Sequence, residues 1–218
     1  MKSTDEPVPV HAIVPAAGLS RRMGRPKQIL PYRGSTVLGT VVRTLLGAEL
    51  DGVMVVTRTE FLRTLDLPAD ARVSVVINDN DTSQMIDSIR LGLASLFGAF
   101  PGDASEEPPP RLESLRRAGV LVLPGDMPGV TSDTCRRCID AFRKDPTRIV
   151  VATHLARRGH PVIFPASLRP DVDRHPTGLD AFLLALAGRT TLVETADAAT
   201  LKDVDTWSDY ESIRPGPN

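Results

Sequence analysis

Short apolar runs alternate along the chain with segments whose apolar residues recur at helical spacing. Most of the runs are continuous in valine, isoleucine, leucine and alanine, which is typical of strands covered on both faces. They predict six strands, at residues 8–14, 52–57, 73–77, 120–123, 149–153 and 162–164. The helical segments predict four helices, at residues 36–46, 83–97, 132–144 and 178–187. This alternation predicts a three-layer α/β/α fold, Rossmann-like, with a mostly parallel sheet.

Residues 101–110 interrupt the alternation. The segment contains three successive prolines together with Gly, Asp, Ser and two Glu, and such a composition buries little apolar surface. We interpret it as an exposed loop before a short helix at 111–119; binding of a partner through the polyproline run is the alternative. The remaining elements predict one domain over residues 1–218, with flexible termini at 1–7 and 214–218.

The composition is that of an ordinary globular protein. Hydrophobic residues make up 41% of the 218 positions and the formal net charge is −1, so we expect no bulk attraction to nucleic acid or to an anionic membrane. No apolar run approaches the ~18 residues of a spanning helix, and the polar N-terminus lacks a signal segment; a cytoplasmic protein is expected. Cys135 and Cys138 lie in a predicted helix without a second ligand pair, which favours a structural role over redox chemistry or zinc binding.

A basic segment with small residues follows the first predicted strand. Gly18 permits a sharp turn that presents backbone N–H groups, and Arg21, Arg22 and Lys27 follow shortly afterwards. This arrangement suits a polyphosphate. The spacing fits neither a Walker A loop, which has a hydroxyl residue after its lysine, nor the dinucleotide fingerprint G-x-G-x-x-G. A solvated surface loop is the alternative, although ligands of α/β proteins bind at the carboxyl ends of strands.

A carboxylate stands at the end of a second buried strand. Asp126 follows the predicted strand 120–123, where Gly125 permits a turn and Pro128 ends the strand. Mg²⁺ accompanies nucleoside triphosphates and prefers carboxylate and phosphate oxygens. Asp126 and the basic segment at the same edge of the sheet therefore predict a metal–nucleotide site. A side-chain cap of the turn is the alternative for Asp126.

The basic segment resembles the nucleotidyltransferase signature L-A-A/G-G-x-S-x-R-M-G-x-x-K-x-L-L-P. The matching residues are Ala17, Gly18, Ser20, Arg22, Met23, Gly24, Lys27, Leu30 and Pro31. The signature belongs to enzymes that attach a nucleotide to molybdopterin and to relatives that act on sugar phosphates and methylerythritol phosphate. The resemblance implies the nucleotide-diphospho-sugar transferase fold and Mg²⁺-dependent nucleotidyl transfer, with Mn²⁺ as an alternative metal.

The resemblance also implies roles for individual residues. Lys27, Arg22 and Asp126 are expected to be catalytic. The expected nucleotide-binding residues are Ala16, Ala17, Gly18, Leu19, Ser20, Lys27, Asn78, Ser88 and Asp126. Asn78 and Ser88 belong to a segment that lies beside the base and ribose in relatives, but a glycine expected before the helix is replaced here by Ser83 or Gln84. Packing within the helix is the alternative for Ser88.

Two further segments carry the implied metal ligands. Gly125-Asp126-Met127-Pro128 looks like the metal-binding segment of the molybdopterin branch, and residues 202–210 resemble D-x-D-T-P-E-D followed by an apolar residue. By this resemblance Asp126, Asp203 and Asp205 are the metal ligands. Trp207 stands where relatives have proline, and the alternative for the last two carboxylates is the cap of a helix.

The segment R-R-G-H-P-V-I-F at 157–164 is similar to that of the cytidylyl-transferring branch, and so is the opening Ala16-Ala17-Gly18. It implies CTP as the nucleotide, molybdopterin as the acceptor, and Arg158 and His160 as acceptor-binding residues. A histidine satisfied within a turn is the alternative for His160. Asp180 departs from the family, because close relatives carry an arginine there; Arg174 is a candidate replacement.

The implied partners are an NTP, a phosphorylated small molecule and molybdoenzyme maturation factors, with neither nucleic acid nor membrane. Three alternatives remain open at this point. One is transfer to a sugar phosphate or another small phosphorylated alcohol. The second is guanylyl transfer from GTP to molybdopterin, and the third is a non-catalytic nucleotide-binding module. A redox Rossmann protein is disfavoured because the glycine fingerprint is missing.

Overall fold

Seven strands form one mixed sheet at the centre of the computed structural model, which describes residues 7–97, 117–175 and 178–214. The strands of the described chain are β1 Val10–Pro15, β2 Pro31–Tyr32, β3 Ser35–Thr36, β4 Gly52–Thr57, β5 Val73–Ile77, β6 Gly119–Val122, β7 Ile149–His154, β8 Arg157–Pro165 and β9 Thr190–Glu194. The sheet has the order β5-β4-β1-β6-β8-β7-β9, and β2 pairs with β3 in a separate small hairpin. β8 is antiparallel to β6 and β7, and the other neighbouring strands of the sheet are parallel.

Helices cover both faces of this sheet. Those of the described chain are α1 Val37–Leu46, α2 Met85–Phe97, α3 Ser132–Lys144, α4 Arg169–Arg174, α5 Leu179–Ala185 and α6 Trp207–Ile213. Three of them begin at threonine caps, at Thr36, Thr131 and Thr206. Thr36 Oγ1 accepts the N–H of Gly39 at 3.0 Å, and Thr131 Oγ1 accepts that of Thr134 at 3.2 Å, which satisfies donors that a first helical turn leaves free.

Alternation along β1 divides the interior into two apolar cores. Val10, Ala12 and Val14 pack in the core that contains α1 and α3. Ile13 packs in the core that contains α2, α4 and α5. Because successive side chains of a strand point to opposite faces, β1 is covered on both sides, and the predicted α/β/α layering is confirmed.

Six predicted strands and four predicted helices are present, and the boundaries of some differ. The strand predicted at 162–164 begins earlier, at Arg157, and the helix predicted at 178–187 is shorter, Leu179–Ala185. The structure adds β2, β3, β9 and the short helices α4 and α6. The loop prediction for 101–110 lies outside the described residues, as do most of the predicted helix 111–119 and of the predicted flexible termini.

Both cysteines lie on the buried face of α3. Cys135 and Cys138 are free and fully buried. Burial raises the pKa of both thiols, that of Cys138 to about 12, so neither is a thiolate near neutral pH. This supports the structural role expected from the sequence. Within the described residues, no helix has the length and apolarity needed to cross a membrane.

Candidate active site

The loop after β1 forms a tight turn with free backbone donors. Ser20 has a left-handed φ of 49°, and its carbonyl oxygen accepts the N–H groups of Met23 at 2.9 Å and Gly24 at 3.1 Å. No described residue accepts a hydrogen bond from the backbone N–H groups of residues 17–20. Free N–H groups that converge in a turn form an anion-binding concavity, so the loop is able to receive phosphate oxygens, and its binding role stays a prediction.

Side-chain contacts fix the loop next to Lys27. Ser20 Oγ accepts the backbone N–H of Lys27 at 3.1 Å, and Gln28 Nε2 donates to the carbonyl oxygen of Gly18 at 2.9 Å. Trp207 Nε1 donates to the carbonyl oxygen of Met23 at 3.0 Å. The tryptophan that departs from the family pattern therefore anchors α6 to the phosphate loop.

Lys27 lies between two of the predicted metal ligands. Its Nζ is 2.5 Å from Asp126 Oδ2 and 2.8 Å from Asp205 Oδ1, and Arg22 Nη2 is 3.0 Å from Asp205 Oδ2. The Lys27 side chain is only 11% exposed. Burial lowers the lysine pKa most, but the contacts with Asp126 and Asp205 together outweigh it and raise the pKa above its ordinary value. The lysine is a fixed positive charge at this site.

The three predicted carboxylates come together as one cluster. Asp126, Asp203 and Asp205 each offer an oxygen within 4.8 Å of the others. The backbone N–H of Val204 donates to the carbonyl oxygen of Asp126 at 2.9 Å and so holds the two distant segments together. The Thr206 capping box begins α6 directly after the cluster. The carboxylates are thus fixed by the backbone on both sides.

The electrostatics of the cluster favour a cation. Desolvation and the neighbouring charges of Asp205 and Asp126 raise the pKa of Asp203, whereas the hydrogen bond from Lys27 lowers the pKa of Asp205. Oδ1 of Asp126 is buried and finds no hydrogen-bond partner among the described residues. A buried unpaired carboxylate oxygen is costly. The donor set fits a divalent cation of the Mg²⁺ type.

Two cavities meet at this cluster. The smaller, of about 290 Å³, is lined by Ser20, Arg21, Arg22, Lys27 and Asp205. The larger, of about 560 Å³, has charged and polar walls that comprise Asp126, Arg157, Arg158, His160, Asp180 and Asp203. Its apolar walls include Met85, Met127, Leu183 and Leu184. The carboxylates therefore lie between a smaller polar cavity and a larger, partly apolar one.

His160 lies in the wall of the larger cavity. Its Nδ1 donates to the carbonyl oxygen of Val122 at 3.3 Å, and a cis peptide bond joins it to Pro161. Desolvation lowers the pKa of the imidazole, and the Val122 carbonyl only partly offsets this. The ring is therefore neutral near pH 7 and leaves Nε2 as an acceptor.

Comparison with known families now decides the class of the protein. The family model described as a MobA-like NTP transferase domain matches residues 12–190. The chain belongs to the MobA-like NTP transferase family. The predicted family and the general activity of a nucleotidyltransferase are thereby confirmed.

Curated relatives of this NTP transferase carry different names. Nicotine blue oxidoreductase of Paenarthrobacter nicotinovorans is 30% identical over 218 residues, which cover 94% of this chain and 96% of the relative. Molybdenum cofactor cytidylyltransferase of Escherichia coli (strain K12) is 25% identical over 201 residues, with 92% and 93% covered. The relatives thus share the family but differ in the activity that their names give.

Solved structures agree with the fold of the transferase. Rv0371C from Mycobacterium tuberculosis H37Rv in complex with manganese is 26% identical, with a TM-score of 0.66 over 94% of this chain and 97% of that one. A nucleotidyl transferase from Methanothermobacter thermautotroptrophicus, Mth528, is 24% identical, with a TM-score of 0.72 over 94% and 95%. The predicted nucleotide-diphospho-sugar transferase type of fold is confirmed.

Some predicted nucleotide contacts of the transferase lie apart from the two cavities. Asn78 Nδ2 donates to Ser88 Oγ at 3.0 Å and to Ser83 Oγ at 2.8 Å, and both Asn78 and Ser88 are buried. Ser88 thus orients Asn78, and it lines neither of the two cavities. The N–H of Ala16 is already bound to the carbonyl oxygen of Val56 at 2.8 Å. The binding roles of these residues stay predictions.

The residues predicted to bind the acceptor do not all line the larger cavity. Arg158 and His160 line the larger cavity, as does Arg157, which the sequence analysis did not single out. Arg174, the candidate replacement for the family's arginine, is absent from that lining, and its Nε donates to the carbonyl oxygen of Pro170 at 3.0 Å. Asp180 does line the cavity, so the departure from the family lies within the site itself.

Gly159→Ala in the transferase is expected to lower the free energy of unfolding by about 1–3 kcal/mol, as overpacking does. A Cβ at this position would collide with the carbonyl oxygen of Thr200, in the turn that leads to Asp203 and Asp205. Urea unfolding measures the effect. Gly188→Ala is the matched control, because no atom lies within 4 Å of its added Cβ. Equal stability of the two variants would contradict this close packing.

Proposed function

We propose that the chain transfers a cytidylyl group from CTP to molybdopterin, with release of pyrophosphate, in a reaction that depends on Mg²⁺ or alternatively Mn²⁺. The single observation that carries the proposal is the position of Lys27 among Asp126 and Asp205, where the two cavities meet. An arrangement of this kind suits phosphoryl chemistry, which depends mainly on positioning and charge stabilisation.

The loop side of the cluster suits the triphosphate. The free N–H groups of residues 17–20 can donate to its oxygens, and Arg22 and Lys27 bring two positive charges to the same cavity. Preorganised donors and cations stabilise the charge that develops as pyrophosphate leaves. Lys27 is well suited to this because it is held in place by Asp126 and Asp205 rather than free in solvent.

The carboxylate cluster suits the metal that accompanies the triphosphate. Asp126, Asp203 and Asp205 would hold it, and the unpaired Oδ1 of Asp126 supports this assignment. A divalent cation bound there would neutralise phosphate charge and polarise phosphoryl oxygens. The relative Rv0371C has been solved with manganese, which supports a divalent metal and leaves the choice between Mg²⁺ and Mn²⁺ to experiment.

The larger cavity suits the acceptor. An acceptor phosphomonoester is already ionised near pH 7, with a second pKa of about 6, and it needs no general base. Its oxygen attacks the α-phosphorus, a new P–O bond forms, and the bond to the leaving pyrophosphate breaks. Arg158 would attract the acceptor anion, while the neutral His160 would accept at Nε2 a hydrogen bond from a hydroxyl or N–H group of the acceptor.

The choice of CTP and molybdopterin rests on the 157–164 segment and on the Ala16-Ala17-Gly18 opening. Both are similar to the cytidylyl-transferring branch, to which the name of the Escherichia coli relative also belongs. Guanylyl transfer, or transfer to a sugar phosphate, would use the same carboxylates and lysine. Only the substrates therefore distinguish these alternatives.

A matrix of substrates tests the proposal. The purified chain is incubated with each of the four NTPs and with molybdopterin, methylerythritol phosphate or a hexose 1-phosphate, with Mg²⁺ or Mn²⁺, and pyrophosphate is measured. We expect release only with CTP and molybdopterin in the presence of metal. Release with GTP or with another acceptor would replace the proposed substrates, and NTP binding without release would indicate a non-catalytic module.

The same preparation is assayed for oxidation of NADH and NADPH, because one relative is named an oxidoreductase. We expect no oxidation. Turnover of a nicotinamide cofactor in the absence of any nucleotidyl transfer would reject the proposed reaction.

A further inference from the structure

The larger cavity contains unpaired charges of both signs. Asp180 lies in the first turn of α5, and Arg157 and Arg158 begin β8. None of these three side chains makes a hydrogen bond or an ion pair with another residue of the described chain. A cavity that leaves a carboxylate and two guanidinium groups without partners is suited to a ligand that carries both anionic groups and hydrogen-bond donors.

Large apolar side chains are exposed in the same cavity. Met85 is 45% exposed and Leu184 is 69% exposed, although both are among the residues that line it. Exposed apolar surface inside a cleft is typical of a ligand site. Methionine adapts well to the face of a flat ring. The volume of about 560 Å³ is in the range of pockets for small ligands, roughly 300–1,000 Å³.

We propose that Asp180 binds the N–H donor edge of a planar amino-oxo heterocycle in the acceptor, while Arg157 and Arg158 bind its anionic groups. This inference rests on the proposed function and names the part of the acceptor that determines specificity. A ring with an amino group next to a ring N–H presents two parallel donors, which a carboxylate accepts as it accepts the fork of an arginine. The pterin ring of molybdopterin has this edge.

The placement of Asp180 also sets the direction of the acceptor. Asp126 and Asp203 line the same cavity and belong to the acidic cluster, beside which the acceptor phosphate would react. The heterocycle then extends toward Asp180 and the apolar walls. An arginine at this position would favour an anionic group where this chain favours a donor edge. Asp180 is therefore a specificity residue for the ring rather than a substitute for a phosphate-binding group.

The binding of two small fluorescent probes tests the role of Asp180 in ring recognition without any transfer reaction. One is 6-hydroxymethylpterin, and the other is 6-hydroxymethyllumazine, in which an oxo group replaces the amino group of the donor edge. We expect the unmodified protein to bind the pterin at least tenfold more tightly than the lumazine, since a site with a charged acceptor rejects an analogue that lacks the donor. Equal binding of the two probes would overturn the proposal.

Asp180→Asn provides the second comparison. It is expected to weaken pterin binding ten- to hundredfold, the range of a charge-assisted hydrogen bond, and to abolish the preference over lumazine. Asp171 is an exposed carboxylate on α4 outside the cavity. Asp171→Asn is expected to leave both the affinity for the pterin and the preference for it over the lumazine unchanged. An Asp180→Asn variant that folds normally and keeps the preference would also overturn the proposal.

The transfer assay separates this inference from the proposed function. For Asp180→Asn we expect the KM for molybdopterin to rise ten- to hundredfold while the KM for CTP stays unchanged. Unchanged kinetics in a variant that still makes pyrophosphate would reject the role of Asp180 and leave the function intact. The unmodified protein could also release no pyrophosphate and still show a pterin preference that depends on Asp180. That result would reject the proposed function and support the binding of the ring by Asp180.

Discussion

Asp126→Asn is expected to reduce metal-dependent pyrophosphate release about a thousandfold or more. The carboxylate lies against Lys27 and offers a second, unpaired oxygen to the acidic cluster. A neutral amide of the same size cannot hold a divalent cation as a carboxylate does, and the metal contributes several kcal/mol of transition-state stabilisation, at about 1.36 kcal/mol per factor of ten. Steady-state turnover at saturating Mg²⁺ measures the loss.

A control variant, Asp140→Asn, tests whether the loss of activity is specific to Asp126. Asp140→Asn removes an exposed carboxylate from α3 without touching either cavity, and it should retain full activity. Mn²⁺ binding, followed by the electron paramagnetic resonance of the free ion, should weaken in Asp126→Asn only. Full metal-dependent turnover by Asp126→Asn would remove this residue from the metal site.

Lys27→Met is expected to lower kcat/KM ten- to hundredfold and to strengthen the binding of Mn²⁺ alone. The loss of activity corresponds to about 1.5–3 kcal/mol for a charge-assisted hydrogen bond made in the transition state. The gain in metal affinity follows because Asp126 and Asp205 lose the ammonium that lies 2.5 Å and 2.8 Å from their oxygens. Pyrophosphate release and Mn²⁺ titration in the absence of nucleotide measure the two effects.

Opposite changes in the affinity for Mn²⁺ distinguish the two variants. Both Asp126→Asn and Lys27→Met should lose activity, but only the lysine variant should bind Mn²⁺ more tightly. Lys144→Met at the exposed end of α3 serves as the control and should change neither quantity. Unchanged turnover in Lys27→Met would exclude the lysine from the reaction.

Valine-rich runs were the most predictable part of the fold. The run 52–57 matches β4 to the residue, and β4 is buried at every position, as expected of a strand covered on both faces. The run 73–77 also matches β5 to the residue, although β5 lies at the sheet edge and is partly exposed. β9, T-T-L-V-E, was not predicted, because only two of its five residues are apolar and polar residues flank them.

The direction of β8 could not be predicted. Strand direction has no local signature, and the turn that reverses the chain there is formed by Leu155 and Ala156, both at positive φ. Hairpin turns of that geometry usually contain glycine or asparagine. The Glu194 carboxylate accepts the N–H groups of both turn residues and so stabilises the turn from a distant strand.

Resemblance to the family motifs indicated the three carboxylates and Lys27, but their mutual geometry could be seen only in the structure. The contact of Lys27 with two carboxylates joins residues of three distant segments. The hydrogen bond from the indole of Trp207 to the carbonyl oxygen of Met23, in the loop after β1, also joins two distant segments. The sequence showed Trp207 only as a departure from the family pattern. The sequence gives no sign either that Ser88 orients Asn78 from within α2.

The buried pair on α3 has a practical consequence for experiments on this protein. Cys135 and Cys138 are the chain's only two cysteines, and both are fully enclosed, with raised thiol pKa values. Maleimides and similar reagents react with exposed thiolates, so we expect the native cysteines of the folded protein to be labelled only slowly. A cysteine introduced beside either cavity would accept a single fluorophore, and slow modification of the native pair would report how often α3 separates from the sheet.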